Sequence, residues 1–507
     1  MFSSVLSADV RGITGVPILV ETDVSDGLPG LIMVGYLASA VKESADRVRT
    51  ALKNTGISIP PKKITVNLSP ADTKKEGTGF DLAIAVSMMC SLGMFPKESI
   101  EKVLFLGELG LDGAVKKIRG VLPMVELAKE RGCHACVIPK ENMAEGQIVK
   151  GISCVGVESL RETLNRIITG DYKESQGPVS GAFAEEEPPD FSQIRGQEAV
   201  KQAARLAAAG RLNLLMIGPP GSGKTMIARR IPTILPPMSE EESLEVTKIY
   251  SVCGLLPEGQ ALMRERPFRA PHHMISVSAM VGGGRRPMPG EVSLSNHGCM
   301  FLDEITEIPR NVLESLRQPL EDKIVQISRV SGNDVFPANM MLIAAMNPCR
   351  CGYYPDMNKC HCSARDIHRY LNKISMPFVD RMDLCVEAPR VAFEDLTGTE
   401  AGQTSAQIRE EVQRAHQMQQ ERYQGTNYRF NCDVKGSVAE EYFRVGKKQK
   451  KILEDAFEHL NLTARSYHKI LKVARTAADL DCKKDIETGH ILQAICYRNV
   501  DRKFWAV

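Results

Sequence analysis

Eight residues near the middle of the chain have the composition and order of a phosphate-binding loop. They run from Gly218 to Thr225, between a short apolar run and a helical pattern over 226–234. Glycines allow successive backbone N–H groups to wrap around phosphate oxygens, and the following helix directs its positive amino-terminal end at the anion. The sequence therefore predicts a nucleoside triphosphate site. The predicted contacts are Gly218, Pro219, Pro220, Gly221, Ser222, Gly223, Lys224 and Thr225.

Two side chains of the loop have separate expected roles, and an acidic pair complements them. Lys224 should reach the β- and γ-phosphates, and Thr225 should hold Mg²⁺ through its hydroxyl. Asp303 and Glu304, the acidic pair, follow the apolar run 300–302, which is typical of a strand buried on both faces of a parallel sheet. Because ligands bind at the carboxyl edge of such a sheet, we expect Asp303 to direct Mg²⁺ through its water shell and Glu304 to be the general base for the attacking water.

Three further polar residues are candidates for contacts with the γ-phosphate. Asn347 ends a second apolar run, where its amide can position the phosphate and the lytic water. Arg381 follows a proline turn, from which it can project to a neighbouring chain and stabilise the charge on the transferred phosphoryl group; an ion pair with Asp380 or Asp383 is the alternative. Arg465 opens a helix and can reach the γ-phosphate from a lid; a solvated helix start is the alternative.

Four of the fourteen cysteines lie close together in the sequence. Cys349, Cys351, Cys360 and Cys362 form two Cys-x-Cys pairs, and four thiolates at this spacing can close a tetrahedral site that favours Zn²⁺. The pairs are tighter than the usual Cys-x-x-Cys, so free thiols and disulfides remain alternatives, and His361 can replace a ligand. We expect a metal here to couple the nucleotide sensor to a subunit interface.

The remaining patterns predict three domains and a linker. Residues 1–170 alternate strands with helices and form an α/β domain, and 171–189 is a linker rich in Gly, Pro and Glu. The segment 190–392 carries the phosphate loop and both apolar strands, which predicts a doubly wound parallel-sheet core. The segment 393–507 is strand-poor and helical, which predicts a lid.

Composition limits the class of protein. The chain of 507 residues is 43% hydrophobic and 25% charged, as in globular proteins, and no run approaches the roughly 18 apolar residues of a membrane span. Residues 1–21 lack the basic start of a signal peptide, so we expect a cytoplasmic location and no membrane partner. A net charge of +2 gives no argument for nucleic-acid binding beyond local patches.

Taken together, the motifs resemble the magnesium-chelatase-like AAA+ family, in its YifB/ComM branch, over nearly the whole chain. The resemblance implies a homo-hexameric ring that hydrolyses ATP with Mg²⁺. Asn347 would then be the first sensor, Arg381 the arginine finger and Arg465 the second sensor. Besides the phosphate loop, the motifs are Phe268–His273, Pro289–Leu294, Phe301–Glu304 and Asn347–Cys349.

The same resemblance implies movement on DNA, as a branch-migration helicase that acts on recombination intermediates during the uptake of foreign DNA. Two inserted tips carry cations that can contact DNA phosphates in a ring pore: three glycines precede Arg285 and Arg286, and a predicted hairpin over 324–338 carries Arg329. Ordinary solvated loops are the alternative. The rival functions are a metal-chelatase subunit and a protein remodeller or protease.

The amino-terminal domain resembles the Lon-protease-like fold in the segments Gly77–Asp81 and Gly107–Leu109. That fold uses a catalytic serine and lysine, but here Gly79 or Phe80 takes the approximate place of the serine and Leu122 that of the lysine. A serine nucleophile needs a base within hydrogen-bond reach. We therefore expect a scaffold or a DNA-binding collar instead of a peptidase.

Overall fold

The structure is a computed structural model that forms two compact units. The first comprises Met1–Phe183, Glu240–Arg264 and Ser328–Val335, and the second Ala184–Ser239, Glu265–Ile327 and Phe336–Val507. Most of the predicted linker 171–189 lies outside the described residues. The structure describes residues 1–174, 189–257, 259, 262–329, 332–391, 393–397, 402–436, 438–460 and 462–505.

A seven-stranded mixed sheet organises the first unit, in the order β3-β4-β2-β1-β5-β6-β7. The antiparallel pair β1–β2 was not predicted, because Ser3 and Ser7 occupy buried positions of β1 and interrupt its apolar alternation. The strands are β1 (Phe2–Arg11), β2 (Thr14–Ser25), β3 (Gly30–Val34), β4 (Lys63–Ser69), β5 (Val103–Phe105), β6 (Ala135–Pro139) and β7 (Ser153–Val157).

Helices cover this sheet. One helical region is divided at Glu43, and the short strands Glu108–Leu109 and Val115–Lys116 pair as a hairpin. The helices are Ser39–Lys42, Ser44–Asn54, Asp81–Ser91, Val121–Glu130, Met143–Gly146, Leu160–Thr169 and, later in the chain, Glu240–Cys253.

The helix Glu240–Cys253 packs in the first unit although it follows the phosphate loop in sequence. Its Ser251 hydroxyl donates to the buried carboxyl of Glu145, and Lys248 pairs with Glu126 at 2.7 Å. Burial raises the pKa of Glu145, and hydrogen bonds from its neighbours oppose this shift. These contacts explain why the segment groups with the amino-terminal sheet.

A five-stranded parallel sheet organises the second unit, in the order β9-β10-β11-β8-β12. Three of its central strands are buried along their whole length, as expected for a sheet covered on both faces. The strands are β8 (Leu214–Ile217), β9 (Phe268–Arg269), β10 (Cys299–Leu302), β11 (Met341–Met346) and β12 (Leu384–Glu387).

The carboxyl-terminal part of this unit is helical, as predicted. Thr404 and Gln407 form a reciprocal capping box at one helix start, and Thr463 caps another. The helices of eight or more residues in the unit are Glu198–Gly210, Lys224–Ile234, Ala364–Leu371, Ser405–Arg422, Lys447–His459, Ala464–Leu480 and Thr488–Trp505. Shorter ones are Val277–Val281, Glu291–Leu294, Arg310–Ser315, Arg317–Asp322, Met376–Val379, Phe393–Thr397 and Val438–Tyr442.

Two small hairpins accompany the second sheet. Gly282–Gly283 pairs with Met288–Pro289, and Ile324–Arg329 pairs with Gly332–Pro337. The end of the second hairpin groups with the first unit, where Asp334 lies 3.4 Å from Arg11. No helix in the described part of the chain has both the length and the apolar character needed to cross a bilayer.

Candidate functional site

The phosphate loop connects the carboxyl end of β8 to the helix Lys224–Ile234. A Cβ at Gly218 would lie 2.1 Å from the carbonyl oxygen of Ala388, so only glycine fits there. Gly221 and Gly223 have φ values of +75° and +83°, a region that disfavours other residues. The glycine pattern is therefore required by the geometry at this edge of the sheet.

The ammonium group of Lys224 lies within this loop. It donates to the carbonyl oxygens of Gly218 and Pro219, both at 2.8 Å, and lies 3.4 Å from Oδ1 of Asn347. Burial lowers the pKa of Lys224, while the carboxylates of the acidic pair oppose that shift. The loop, the acidic pair and Asn347 thus meet at one place, as the sequence predicts.

The acidic pair places oxygen ligands beside the loop. The Thr225 hydroxyl donates to Oδ2 of Asp303 at 2.7 Å, and Oδ1 of Asp303 accepts the N–H of Glu304 at 2.9 Å. Glu304 has a φ of +46° and an exposed side chain. Mg²⁺ prefers oxygen ligands and retains part of its water shell, so Thr225 and Asp303 fit this ion.

The four clustered cysteines bring their sulfurs together. The Sγ–Sγ distances are 3.3 Å for Cys349–Cys351, 3.7 Å for Cys349–Cys360 and 3.5 Å for Cys351–Cys360. These three sulfurs and that of Cys362 lie within 4.8 Å of one another. Sulfurs about 2.3 Å from Zn²⁺ in a tetrahedron are about 3.8 Å apart, which fits these distances. At these separations none of the four forms a disulfide.

The loop that carries these cysteines packs directly on the phosphate loop. A Cβ at Gly352, whose φ is +83°, would lie 2.5 Å from Cδ of Pro220. On its other side, the Tyr354 ring meets Phe504 edge-on at a centroid distance of 5.9 Å, next to Trp505. The cysteine loop therefore lies between the phosphate loop and the end of the last helix.

The two arginines predicted to contact the γ-phosphate both pair with one glutamate. Arg381 Nη2 lies 2.7 Å from Oε1 of Glu321, and Arg465 pairs with the same carboxylate. Only 9% of the Arg381 side chain is exposed, so it does not project outward as expected. Its ion-pair partner is also neither Asp380 nor Asp383, the alternatives considered from the sequence.

This arginine pair lies at the amino ends of the parallel strands, whereas the phosphate loop lies at their carboxyl ends. Asn213, which precedes β8, donates its side-chain amide to the carbonyl of Arg381 at 3.2 Å and its N–H to Asp383 at 2.9 Å. Gly218 follows the other end of the same strand. At about 3.3 Å per residue, it lies about 16 Å from Asn213. Because Arg465 shares Glu321 with Arg381, neither arginine belongs to the chain's own phosphate site.

The segment that carries Arg381 is also anchored to the helical region. Lys469 donates to the carbonyls of Asp380 and Met382, the latter at 2.9 Å. Burial lowers the pKa of Lys469 to about 7, and the Asp383 carboxylate opposes the shift. The helix Ala464–Leu480 therefore fixes the backbone on both sides of Arg381.

Sequence reasoning missed two residues at these sites. Gln197 donates to the carbonyl of Ser222 at 3.0 Å and to that of Pro389, so it supports the phosphate loop. The sequence feature that could have indicated Gln197 is the Gly196-Gln197 pair directly before an Ala-rich helix. Glu321 had no local signal, because its role appears only when Arg381 and Arg465 are brought together.

The candidate DNA-binding arginines lie at the predicted tips. Arg285 is exposed between the strands Gly282–Gly283 and Met288–Pro289, with Arg286 beside it, and Arg329 is exposed at the end of its strand. Val330 and Ser331, within the predicted hairpin over 324–338, lie outside the described residues. DNA contacts by these arginines stay predictions.

The Lon-like segments of the first unit make structural contacts. Asp81 is buried and accepts from Nε of Arg47 at 2.9 Å, and burial raises the pKa of Asp81 while Arg47 opposes the shift. Ser87, the nearest serine, is buried with its hydroxyl 2.8 Å from Thr22 and 2.9 Å from Ser3. Neither hydroxyl is a base that could activate Ser87.

The fold and the phosphate site define an AAA+ ATPase. A phosphate loop follows the strand β8 of a parallel sheet, the acidic pair and Asn347 follow strands of the same sheet, and a helical region completes the unit. ATP and Mg²⁺ are the ligands that this class of site takes.

Comparison with known proteins agrees with this class. Three family models match: magnesium chelatase subunit ChlI over residues 190–396, subunit ChlI of Mg-chelatase over 20–142, and the ChlI carboxyl-terminal model over 402–498. The uncharacterized protein YifB of Salmonella typhimurium is 38% identical, covering 97% of this chain and 96% of that protein. The competence protein ComM of Haemophilus influenzae is 38% identical, and the match covers 98% of this chain and 97% of that protein.

The chain therefore belongs to the magnesium-chelatase-like YifB/ComM family of AAA+ ATPases. Lon protease 2 of Bacillus subtilis is 29% identical over 27% of this chain and 25% of its own length. The predicted fold class, with a Lon-protease-like amino-terminal domain, an AAA+ core and a helical carboxyl-terminal region, is confirmed. The exact domain boundaries stay a prediction.

Proposed function

We propose that the chain assembles as a hexameric ring that hydrolyses ATP and translocates on DNA, as a branch-migration helicase acting on recombination intermediates in natural transformation. The observation that carries the ring is the position of Arg381 and Arg465, at the opposite sheet edge from the phosphate loop. A head-to-tail contact brings the arginines of one chain to the phosphate loop of the next, and such contacts form a ring when the rotation between neighbouring chains closes.

Each residue of the composite site has a defined task in this proposal. Lys224 and the loop N–H groups bind the β- and γ-phosphates, and Thr225 and Asp303 hold the metal. Mg²⁺ held there would supply positive charge beside the phosphate oxygens. Glu304 takes a proton from the attacking water, which Asn347 orients.

The arginines of the next chain complete the site. Arg381 and Arg465 carry positive charge to the transferred phosphoryl group, whose charge increases in the transition state. Within a single chain neither arginine lies at the phosphate loop, since both are at the other end of the strands. A separated chain is therefore expected to bind ATP but hydrolyse it poorly.

DNA as the substrate is supported by the family and by the cationic tips. A relative of similar length is named a competence protein, and Arg285 and Arg329 are exposed cations at or beside hairpin ends, with the half-buried Arg286 next to Arg285. We propose that these arginines contact the DNA backbone in the ring pore. Such contacts carry little sequence preference and weaken steeply with salt.

ATP turnover with different polymers tests this function. We expect a severalfold increase in turnover with forked or four-way DNA, and a loss of that increase as salt rises. The same protein should respond little to an unfolded polypeptide. Stimulation by the polypeptide alone would contradict the DNA proposal and favour a protein remodeller.

The cysteine cluster is proposed to hold one structural Zn²⁺ per chain. Zinc held by Cys349, Cys351, Cys360 and Cys362 would fix the loop whose Gly352 contacts Pro220. We expect metal removal to loosen this contact and weaken ATP binding severalfold.

Zinc removal also has an optical readout, because Trp505 is the single tryptophan of the chain and lies beside the cysteine loop. A Cys360→Ser variant should lose zinc in metal analysis and shift the Trp505 emission, whereas Cys482→Ser, at an exposed cysteine outside the cluster, should do neither. Purified protein without zinc, or zinc loss that leaves emission and ATP affinity unchanged, would overturn this assignment.

A further inference from the structure

Glu321 is the counter-ion shared by Arg381 and Arg465. It lies in the last turn of the helix Arg317–Asp322, and its side chain is 41% exposed, compared with 9% for that of Arg381. Burial lowers the pKa of Arg381, and the charges of Arg465 and Arg317 lower it further. The charge of Glu321 is the main influence that raises it. Without this carboxylate, two guanidinium groups would face each other.

These three side chains border an open, positively charged cavity. It has a volume of about 580 Å³, and its lining includes seven lysines and arginines but only four acidic residues, with Lys435 and Lys472 among the cations. An anion is therefore the kind of group that this surface attracts. Glu321 is the acid that such an anion must replace at Arg381.

The hydrogen bonding of Arg381 indicates a retracted side chain. Its Nη atoms are used by Glu321 and by the carbonyl of Pro377, whereas its Nε atom is buried without a hydrogen-bond partner. A buried donor without a partner is unfavourable, so this arrangement retains a donor that a phosphate oxygen can satisfy. An arginine that acts on another chain must leave this position.

We propose that Glu321 is a positioning residue, an inference that rests on the proposed ring. Glu321 holds Arg381 and Arg465 on their own chain until the γ-phosphate bound by the neighbouring chain replaces it. Each arginine then exchanges a carboxylate for a phosphate oxygen, and the released carboxylate of Glu321, whose side chain is 41% exposed, can be hydrated by solvent. ATP binding between chains must therefore break two ion pairs, so Glu321 sets how much ATP is needed to form an active interface.

Replacing Glu321 by Gln tests this exchange, because the amide keeps the shape and removes the charge. In the full-length protein we expect the KM for ATP to fall about 3- to 10-fold, as for loss of two partly exposed ion pairs, and kcat to change less than about twofold. The concentration of a non-hydrolysable ATP analogue that gives half-maximal assembly in sedimentation should fall by a similar factor.

A double-mutant comparison separates this role from a general effect on stability. In an Arg381→Ala background, Glu321→Gln should change the analogue concentration for assembly by much less than in the parent protein. The control Glu307→Gln removes an exposed ion pair with Lys373 at 3.0 Å and should leave KM unchanged.

The outcomes distinguish this inference from the proposed function. A parent protein with normal turnover and a Glu321→Gln variant with unchanged or raised KM would overturn the exchange alone. A fall in kcat without a fall in KM would also overturn it, since Glu321 would then hold the arginines for catalysis. A parent protein that neither assembles with nucleotide nor hydrolyses ATP would overturn the ring and this inference together.

Discussion

Replacing Glu304 by Gln is expected to leave ATP binding intact and to lower turnover by about 10²- to 10⁴-fold, the usual contribution of a general base. Glu304 follows β10 directly after Asp303, and its exposed side chain can reach a water beside the γ-phosphate. The amide keeps the size of the side chain but cannot accept a proton. Binding of a fluorescent ATP analogue and steady-state turnover measure the two effects separately.

Glu307→Gln is the matched control for this variant. Glu307 lies one short turn further along the chain and pairs with Lys373 at 3.0 Å, away from the phosphate loop. Its replacement should keep turnover within about twofold of the parent, because only an exposed ion pair is lost. A Glu304→Gln variant that retains more than a tenth of the parent turnover would assign the base to another residue.

The phosphate side of the site could be predicted because each part follows from local sequence. Gly218 must lack a side chain at 2.1 Å from the carbonyl of Ala388, and the loop pattern reflects that requirement directly. Asp303 and Asn347 end apolar strands, and parallel buried strands deliver their carboxyl ends to the same edge. Each of these residues directly follows a buried strand, and the parallel packing of those strands brings the residues together.

The arginine side could be predicted only in part, because its contacts join distant segments. The sequence indicates Arg381 and Arg465 as cations near a helix end, but not that Glu321 pairs with both of them across 60 and 144 positions. Strand β12 begins immediately after Asp383, which places Arg381 at the amino edge of the sheet. That placement depends on the strand order, which local patterns do not specify.

In the first unit, too, local sequence patterns were not enough to predict the structure. Ser3 of β1 is buried and bonds to the hydroxyls of Ser87 and Ser91, so the core of this sheet contains polar side chains that satisfy one another. A hydrophobic alternation cannot reveal such a strand, because the buried positions are not apolar. The hairpin β1–β2 was consequently missed although it forms the longest pairing of the unit.

Replacing Arg381 by Ala is expected to lower turnover about 10³-fold or more while leaving ATP binding by the chain's own phosphate loop unchanged. The reason is geometric, since the carbonyl of Arg381 bonds to Asn213, and Asn213 lies about 16 Å from Gly218, at the other end of β8. Lys224→Ala should abolish ATP binding in its own chain but leave its arginines able to serve a neighbour. The two inactive variants therefore carry defects in different halves of the composite site.

Mixing the two variants tests whether those halves belong to different chains. At equal amounts and with random assembly, an Arg381→Ala chain meets the arginine edge of a Lys224→Ala chain at about one interface in four, so turnover should return to about a quarter of the parent value. Mixing Arg381→Ala with a chain that carries both substitutions should restore nothing, because no interface then has a complete site. If the first mixture also stays inactive although sedimentation shows mixed assemblies, or if Arg381→Ala alone retains full turnover, the site is not shared, and the arginine edge must serve another purpose than ATP hydrolysis.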